Sequence, residues 1–308
     1  MFFRKKNKLI TLSLIAVASF AVYKGSDIHK KRTDGFSLSR IKYDGSFNEQ
    51  YVAPELSLED NRELATALKQ GYTYLAMGGQ CFAFVSSDDK YVIKFFKQKH
   101  RGVAALSKLA LPSFIKKKLM VKLAERDCKR SKEFTSYMIA ERDLKEESGL
   151  IFTHLNPTKS LQIDLKVQDK AGREHLISLD DHPFLLQKKA ALIQPQLSSF
   201  MKEGKEENAK ALIKNIAHFF ALRGDKGIYD DDARIHRNFG CVGEKPILID
   251  IGRLRRESFS SDRSRMASDI IKVNHHFIEW LDDHYPTLKE EFDRQIASLS
   301  DEDLSAKE

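Results

Sequence analysis

Three short segments rich in aromatic and β-branched residues follow one another in the first third of the chain. They cover residues 72–75, 82–85 and 91–96, and a turn separates each from the next. Such segments favour β-strands, and short turns between them favour antiparallel pairing. The pattern therefore predicts an antiparallel meander, whose first turn contains Gly78 and Gly79, and it excludes an all-helical fold.

The segments around this meander predict a mixture of strands and helices. The sequence Ser57-Leu58-Glu59-Asp60 resembles a capping box, which marks the start of a helix. Apolar periodicity predicts helices over 57–68, 104–147, 206–223, 266–281 and 287–299, and further strands over 149–155, 163–167, 175–179, 184–187 and 247–249. A β-rich lobe followed by a helical lobe is an α+β, two-lobed layout. We predict one domain over 57–300, with an N-lobe of about 57–190, a C-lobe of about 191–300 and a tail over 301–308.

The first 24 residues have the composition of a targeting or anchoring segment. Cations within residues 1–8 precede an uncharged, mainly apolar run over 9–23, which is shorter than the roughly 18–20 residues that span a bilayer comfortably. The charged flanks disfavour a buried helix of the fold. We predict a signal peptide or a membrane anchor over 1–24 and a linker over 25–56. The protein is then membrane-associated through one N-terminal segment, or secreted if that segment is cleaved.

The net charge of +8 is unevenly distributed along the chain. The basic surplus lies in residues 1–50 and 90–132, and the rest of the chain is acidic. No nucleic-acid motif accompanies the charge, so we predict no nucleic-acid partner. The lysines over 116–122 are set among apolar residues, which suits either an anionic membrane surface or a solvated helix face. The three cysteines are scattered, which argues against a disulfide framework or a structural zinc site.

The meander combines a glycine turn with a lysine. Gly78 and Gly79 lie in the first turn, and Lys94 lies on the third strand segment. A glycine turn lets backbone N–H groups approach phosphates, and a lysine two strands further on reaches them as a point charge. The pattern is compatible with a phosphate site, but taken alone it is more typical of an ordinary tight hairpin turn.

A second polar cluster lies in the helical half. Three consecutive aspartates occupy 230–232, Asn238 follows them, and an apolar segment ends at Asp250-Ile251-Gly252. Hard oxygen ligands that converge from two loops are what a phosphate-bound magnesium ion requires. Taken alone, the three aspartates are also typical of a turn or a helix cap.

In this order, the glycine turn, Val92-Ile93-Lys94, Asn238 and Asp250-Ile251-Gly252 resemble the motifs of the protein-kinase-like superfamily, from about residue 72 to 253. The resemblance implies a two-lobed protein-kinase-like fold, here preceded by an N-terminal hydrophobic helix. It also implies ATP and Mg²⁺ as cofactors, with the two glycines and Lys94 at the phosphates.

The resemblance assigns roles to three further residues. Asn238 and Asp250 match the positions that hold magnesium in that family. Glu133 lies in a helical segment before the strand over 149–155, a position that matches the glutamate that orients the lysine. Glu141 is the competing candidate for this role.

The position of the catalytic base departs from the family pattern. The usual spacing before Asn238 places the base at Ala233, which cannot accept a proton. Either an insertion lets Asp232 or Asp230 act as the base, or the base is missing. The first alternative predicts an atypical phosphotransferase that phosphorylates a hydroxyl of a protein or a small molecule. The second predicts a pseudokinase, a membrane-associated scaffold that binds nucleotide or protein without catalysis.

Overall fold

A computed structural model describes residues 24–25, 27–28, 30–98, 101–107, 109–257 and 263–305. The apolar run predicted to be a signal peptide or an anchor, 9–23, lies outside these residues. Within the described ranges, no helix combines the length and the apolar character needed to cross a membrane.

Most of the strands form one mixed sheet. The strands are β1 (Tyr72–Met77), β2 (Cys81–Ser86), β3 (Tyr91–Phe96), β4 (Leu150–His154), β5 (Asp164–Gln168), β6 (Glu174–Ser178), β7 (Phe184–Lys188), β8 (Ala191–Leu192), β9 (Ile228–Asp230), β10 (Phe239–Val242), β11 (Lys245–Leu248) and β12 (Leu254–Arg256). Seven of them form a sheet in the order β4-β7-β3-β2-β1-β5-β6, in which only β1 and β5 pair in parallel. The remaining strands form two small sheets, β11-β10-β8 and β12-β9.

The helices lie mainly after the large sheet in the chain. They are α1 (Leu38–Ile41), α2 (Leu58–Leu68), α3 (Arg101–Ser107), α4 (Ser113–Asp143), α5 (Ile193–Lys202), α6 (Glu206–Asp225), α7 (Ile235–Asn238), α8 (Arg263–Val273), α9 (His275–His284) and α10 (Pro286–Ser305). The predicted meander β1-β2-β3, the hairpin β5-β6 and the α+β class are confirmed. Ser57 caps α2 as predicted, because its hydroxyl accepts the amide hydrogen of Asp60 at 3.0 Å.

Two predicted helices are interrupted in the structure. The helix expected over 104–147 consists of α3 and α4, and Pro112 caps the start of α4. A proline disfavours helical geometry in the residue before it, so the helix cannot run through this point. The helix expected over 266–281 consists of α8 and α9, which meet at Asn274. The side chain of Asn274 is fully buried and bonds to backbone groups of another segment.

Residues 33–51, which belong to the segment expected to be a linker, pack into the body of the protein. Phe36 is fully buried, with its ring centroid 5.3 Å from that of Phe82 and 5.1 Å from that of Phe84. Ile41 is also fully buried, and the hydroxyl of Tyr51 lies 2.9 Å from that of Ser131. Ile41 and Tyr51 each end a helix of only three or four residues, and Phe36 stands alone before the first of these. Elements this short have no periodicity that would have revealed their burial.

The hairpin β5-β6 contains a buried carboxylate that should make stability depend on pH. Burial raises the pKa of Asp169, but hydrogen bonds from His175, Arg173 and Ala171 outweigh it and lower the pKa from 3.8 to about 2. The stabilisation is therefore present above pH 3.8 and is lost as the pH falls towards 2. We expect Asp169→Asn to lose about 2 kcal/mol of unfolding free energy at pH 7.

Urea denaturation between pH 7 and pH 2 checks this expectation. The deficit of Asp169→Asn relative to the wild type should shrink as the pH falls through the acidic range. Asp164→Asn, which changes an exposed aspartate of the same hairpin, is the matched control. A deficit that stays constant with pH would contradict the proposed contribution of the Asp169 charge.

Candidate functional site

Lys94 lies in the middle of the large sheet. On β3 it is opposite Ala83 of β2 and Leu185 of β7, so paired strands fix its backbone on both sides. Its ammonium group donates a hydrogen bond to the carbonyl of Ile249, the residue before Asp250. Burial lowers the pKa of Lys94, and the nearby Cys81 and Asp250 act in the opposite direction. The sheet therefore places a lysine charge beside the loop that carries Asp250.

The glycine turn, residues 78–80, folds towards the same loop. The carbonyl of Cys81 accepts the amide hydrogen of Gly78 at 3.0 Å, and a Cβ added at Gly79 would meet no atom within 4 Å. The side chain of Gln80 reaches Gly252, where an added Cβ would collide with Gln80 Oε1. Tyr137 on α4 donates its hydroxyl hydrogen to the same oxygen at 3.0 Å. Only glycine leaves room at position 252 for this approach.

Residues 230–238, which we name the aspartate loop, lie directly against Asp250. The amides of Ile249 and Asp250 lie 2.8 and 3.3 Å from the carbonyl oxygen of Asn238. The side-chain amide of Asn238 donates to the carbonyl of Asp232 at 2.5 Å and so closes the loop. The Asp250 carboxylate accepts the amide hydrogen of Gly252 at 3.2 Å. The structure thus brings together Lys94, Asp232, Asn238 and Asp250.

The two candidate bases have different surroundings. Asp230 is buried at the end of β9, where Arg223 Nη1 lies 3.5 Å from its carboxylate. Burial raises the pKa of Asp230, and Arg223 lowers it in part. The Asp232 side chain is 20% exposed, with Oδ1 3.1 Å from Arg234 Nε and Oδ2 3.7 Å from Arg253 Nη1. Oδ1 is buried and ion-paired with Arg234, and no described group gives it a hydrogen bond of good geometry.

Glu133 lies on α4 at the edge of this cluster. With Gln80 and Lys97 it lines a cavity of about 100 Å³. Burial raises the pKa of the Cys81 thiol, and the charges of Lys94, Asp250, Lys97 and Glu133 all act on that thiol. Glu133 therefore belongs to the same charged environment as Lys94. The competitor, Glu141, is buried and lies 3.5 Å from Lys145, whose ammonium also bonds to Asp60 on α2.

Two residues that hold the site in place were not predicted. The Ser136 hydroxyl on α4 donates to the carbonyl of Ile251 at 2.5 Å and accepts the amide hydrogen of Leu254 at 2.6 Å. Asn274 accepts the amide hydrogen of Ile235 at 2.7 Å and donates to the carbonyl of Ala233 at 3.2 Å. Ser136 thus fixes the segment after Asp250, and Asn274 fixes the aspartate loop. Neither residue belongs to a sequence motif; the only signal was a polar residue at a core position.

The donor set at Asn238 and Asp250 is compatible with magnesium bound together with phosphate. The Asn238 side-chain nitrogen donates to the carbonyl of Asp232 within the loop. Its amide oxygen is therefore the atom that can serve as a metal ligand. Among the described residues, no group of three or more His, Cys, Asp or Glu side chains is arranged to hold a metal ion alone. Magnesium commonly binds to one or two carboxylates and completes its coordination with substrate phosphates and water. The residues present fit that mode.

Comparisons with known proteins give remote structural likenesses. A scan against protein-family models found no match, and a search of curated proteins found none. Among solved structures, the bifunctional kinase-methyltransferase WbdD is similar at 15% identity and a TM-score of 0.32, over 73% of this chain and 43% of that chain. The Rv3197-erythromycin complex from Mycobacterium tuberculosis is similar at 11% identity and a TM-score of 0.28, over 94% of this chain and 75% of that chain. The chain spans less than half the length of the WbdD chain, and at these TM-scores neither likeness says what this chain does.

The architecture itself defines the class of fold. A seven-stranded sheet precedes a helical part, and the lysine of β3 meets the loop of Asp250 between them. This mixed α+β arrangement fits a kinase-like fold.

Proposed function

We propose that the chain is a kinase-like phosphotransferase that uses Mg-ATP to phosphorylate a hydroxyl group of an acceptor. The observation that carries the proposal is the hydrogen bond from Lys94 to the carbonyl beside Asp250. This contact puts the Lys94 charge next to the Asp250 carboxylate, which supports assigning the lysine to phosphate and the carboxylate to magnesium. Phosphoryl transfer depends mainly on such positioning and electrostatic stabilisation.

Each residue of the cluster has a distinct role in this proposal. Lys94 pairs with the α- and β-phosphates, and Glu133 orients it. Asn238 and Asp250 provide the oxygen ligands for magnesium. Asp232 orients the acceptor hydroxyl and takes its proton, because its carboxylate is partly exposed and lies in the loop that Asn238 closes beside Asp250. Gly78 and Gly79 let the turn lie close to the phosphates. The Gly78 amide donates to the carbonyl of Cys81 within the turn, so Gly79 provides the backbone amide that approaches them.

Thermal denaturation with Mg-ATP tests the nucleotide-binding part of the proposal. At about 100 times the Kd, a ligand that binds only the folded state adds about 2.7 kcal/mol, or about 5 °C in melting temperature for a chain of this size. We expect this shift in the wild type and its loss in Lys94→Ala and Asp250→Ala. Lys90→Ala, which removes an exposed lysine just before β3, should keep it. A wild type that does not respond to Mg-ATP would refute nucleotide binding and the proposal with it.

A second candidate is a pseudokinase that binds nucleotide or protein without catalysis. The observation that favours it is the engagement of the Asp232 carboxylate, which lies 3.1 Å from Arg234 and 3.7 Å from Arg253. If the N-terminal segment holds the protein at a membrane, this candidate is a membrane-associated scaffold. It predicts a thermal shift with Mg-ATP but no release or transfer of phosphate.

A further inference from the structure

A cavity of about 900 Å³ lies between helix α4 and the segment that follows Asp250. One wall consists of α4 residues between 131 and 143, and the opposite wall consists of residues 252–256. The cavity is within the range of about 300–1,000 Å³ that is typical of sites for small ligands. Because Gly252 bonds to the Asp250 carboxylate, the cavity begins directly beside the proposed magnesium site.

The walls of the cavity carry more positive than negative charge. Five cationic side chains, Lys132, Arg142, Arg253, Arg255 and Arg256, face two acidic ones, Asp143 and Asp231. Arg256 pairs with Asp143 at 2.6 Å, and Arg255 pairs with Asp231 at 3.2 Å. Both acidic groups of the walls are therefore already neutralised by arginines.

Two of the other three cations remain available to a ligand, and the third, Arg253, is only loosely paired. Within the part of the chain that the structure describes, Lys132 and Arg142 take part in no ion pair. Arg253 Nη1 is 3.7 Å from Asp232 Oδ2, which is longer than a hydrogen bond. Guanidinium groups match the oxygens of a phosphate in a bidentate manner, and an ammonium group adds a point charge. The cavity therefore has the chemistry of a site for a phosphate monoester.

Arg253 connects this cavity to the proposed base. It lines the cavity and also lies beside the carboxylate of Asp232, while the neighbouring Asp231 forms part of the cavity wall. The cavity therefore adjoins the proposed base through Arg253, which belongs to the cavity wall and is the neighbour of Asp232. Positioning of this kind is a large part of what an enzyme contributes to a transfer reaction.

We infer that this cavity is the acceptor subsite, and that the acceptor is a hydroxyl compound that carries a phosphate monoester. The inference rests on the proposed function. In the reaction, the acceptor oxygen forms a bond to the γ-phosphorus of ATP, and the bond from that phosphorus to the β,γ-bridging oxygen breaks. The hydroxyl proton passes to the Asp232 carboxylate, and ADP leaves with the electron pair of the broken bond. Lys132 and Arg142 hold the monoester of the acceptor and take no part in the bond changes.

Calorimetric titration of the full chain with glucose 6-phosphate, and with glucose as the neutral counterpart, tests the subsite. We expect the wild type to bind the phosphate ester and not glucose. In Lys132→Gln/Arg142→Gln, the Kd for glucose 6-phosphate should rise at least about tenfold, because two charge-assisted contacts are lost. Glutamine is a good helix former, so α4 is retained. Lys117→Gln/Lys118→Gln, exposed on the same helix but outside the cavity, should bind like the wild type.

Sedimentation with phosphatidic acid vesicles distinguishes a lipid source of the monoester from a soluble one, with phosphatidylcholine vesicles as the neutral counterpart. Binding to either phosphate source that is weakened in Lys132→Gln/Arg142→Gln supports the subsite. Equal binding of glucose and its phosphate, or a phosphate affinity that survives the double substitution, overturns it.

The Mg-ATP thermal shift separates the two proposals. No shift in the wild type refutes the proposed function. A normal shift without preference for either phosphate monoester refutes the subsite alone.

Discussion

An Asp232→Asn variant should bind Mg-ATP as the wild type does, yet release or transfer phosphate at least about 100-fold more slowly. The substitution keeps the size of the side chain and removes the carboxylate that would accept the hydroxyl proton. Asp232 is assigned no contact with magnesium or with the nucleotide, so the thermal shift should be preserved. Phosphate release from ATP, with water in place of the acceptor, provides a measurement that does not require the natural acceptor.

The comparison that decides between enzyme and pseudokinase uses Asp283→Asn as its control. Asp283 is exposed on α9 and belongs to the helical part, so its substitution should leave phosphate release unchanged. A wild type that binds Mg-ATP without releasing phosphate would favour the pseudokinase. Equal rates in the wild type and Asp232→Asn would show that Asp232 is not the base.

Phe36→Ala is expected to lower the free energy of unfolding by about 3–5 kcal/mol. The ring is fully buried among Phe82, Phe84 and His175, with centroid distances of 5.3, 5.1 and 5.4 Å. Truncation removes the edge-to-face contacts and leaves a cavity that packed neighbours cannot fill completely. Equilibrium denaturation in urea, followed by circular dichroism, measures the loss.

The same segment offers a matched control. Phe47 is 56% exposed, so Phe47→Ala should change stability by no more than about 0.5 kcal/mol. If both variants were equally stable, residues 30–56 would contribute nothing to the core and would behave as the linker that the sequence suggested.

Local patterns were sufficient to predict much of the fold. The meander β1-β2-β3, the hairpin β5-β6 and the Ser57 cap are encoded by neighbouring residues, through β-branched and aromatic runs, turns and a capping box. The placement of Lys94 near Asp250 was inferred from the order of motifs in the sequence. Their proximity follows from the pairing of β3 in the sheet and from the contact with Ile249.

The features that were missed depend on contacts between distant parts of the chain. Phe36 lies in a mainly polar segment without periodicity, and its burial requires two phenylalanines of β2 that come 46 and 48 residues later. Ser136 and Asn274 are hydrogen-bonded to backbone groups 115 to 118 and 39 to 41 residues away, respectively. The sequence gives no sign of these hydrogen bonds, because almost every residue has the same backbone N–H and C=O groups that Ser136 and Asn274 bond to.

The hydrogen bonds of Asn274 have a consequence for how this sequence can vary among homologues. The side chain uses one acceptor and its amide donors in a fully buried position, bridging the aspartate loop and the junction of α8 and α9. Aspartate would lose the donors, and leucine would leave two backbone groups of the loop unsatisfied at a cost of about 1–3 kcal/mol each. Homologues that keep the conformation of the aspartate loop should therefore retain an asparagine at 274, whatever residue they carry at 232.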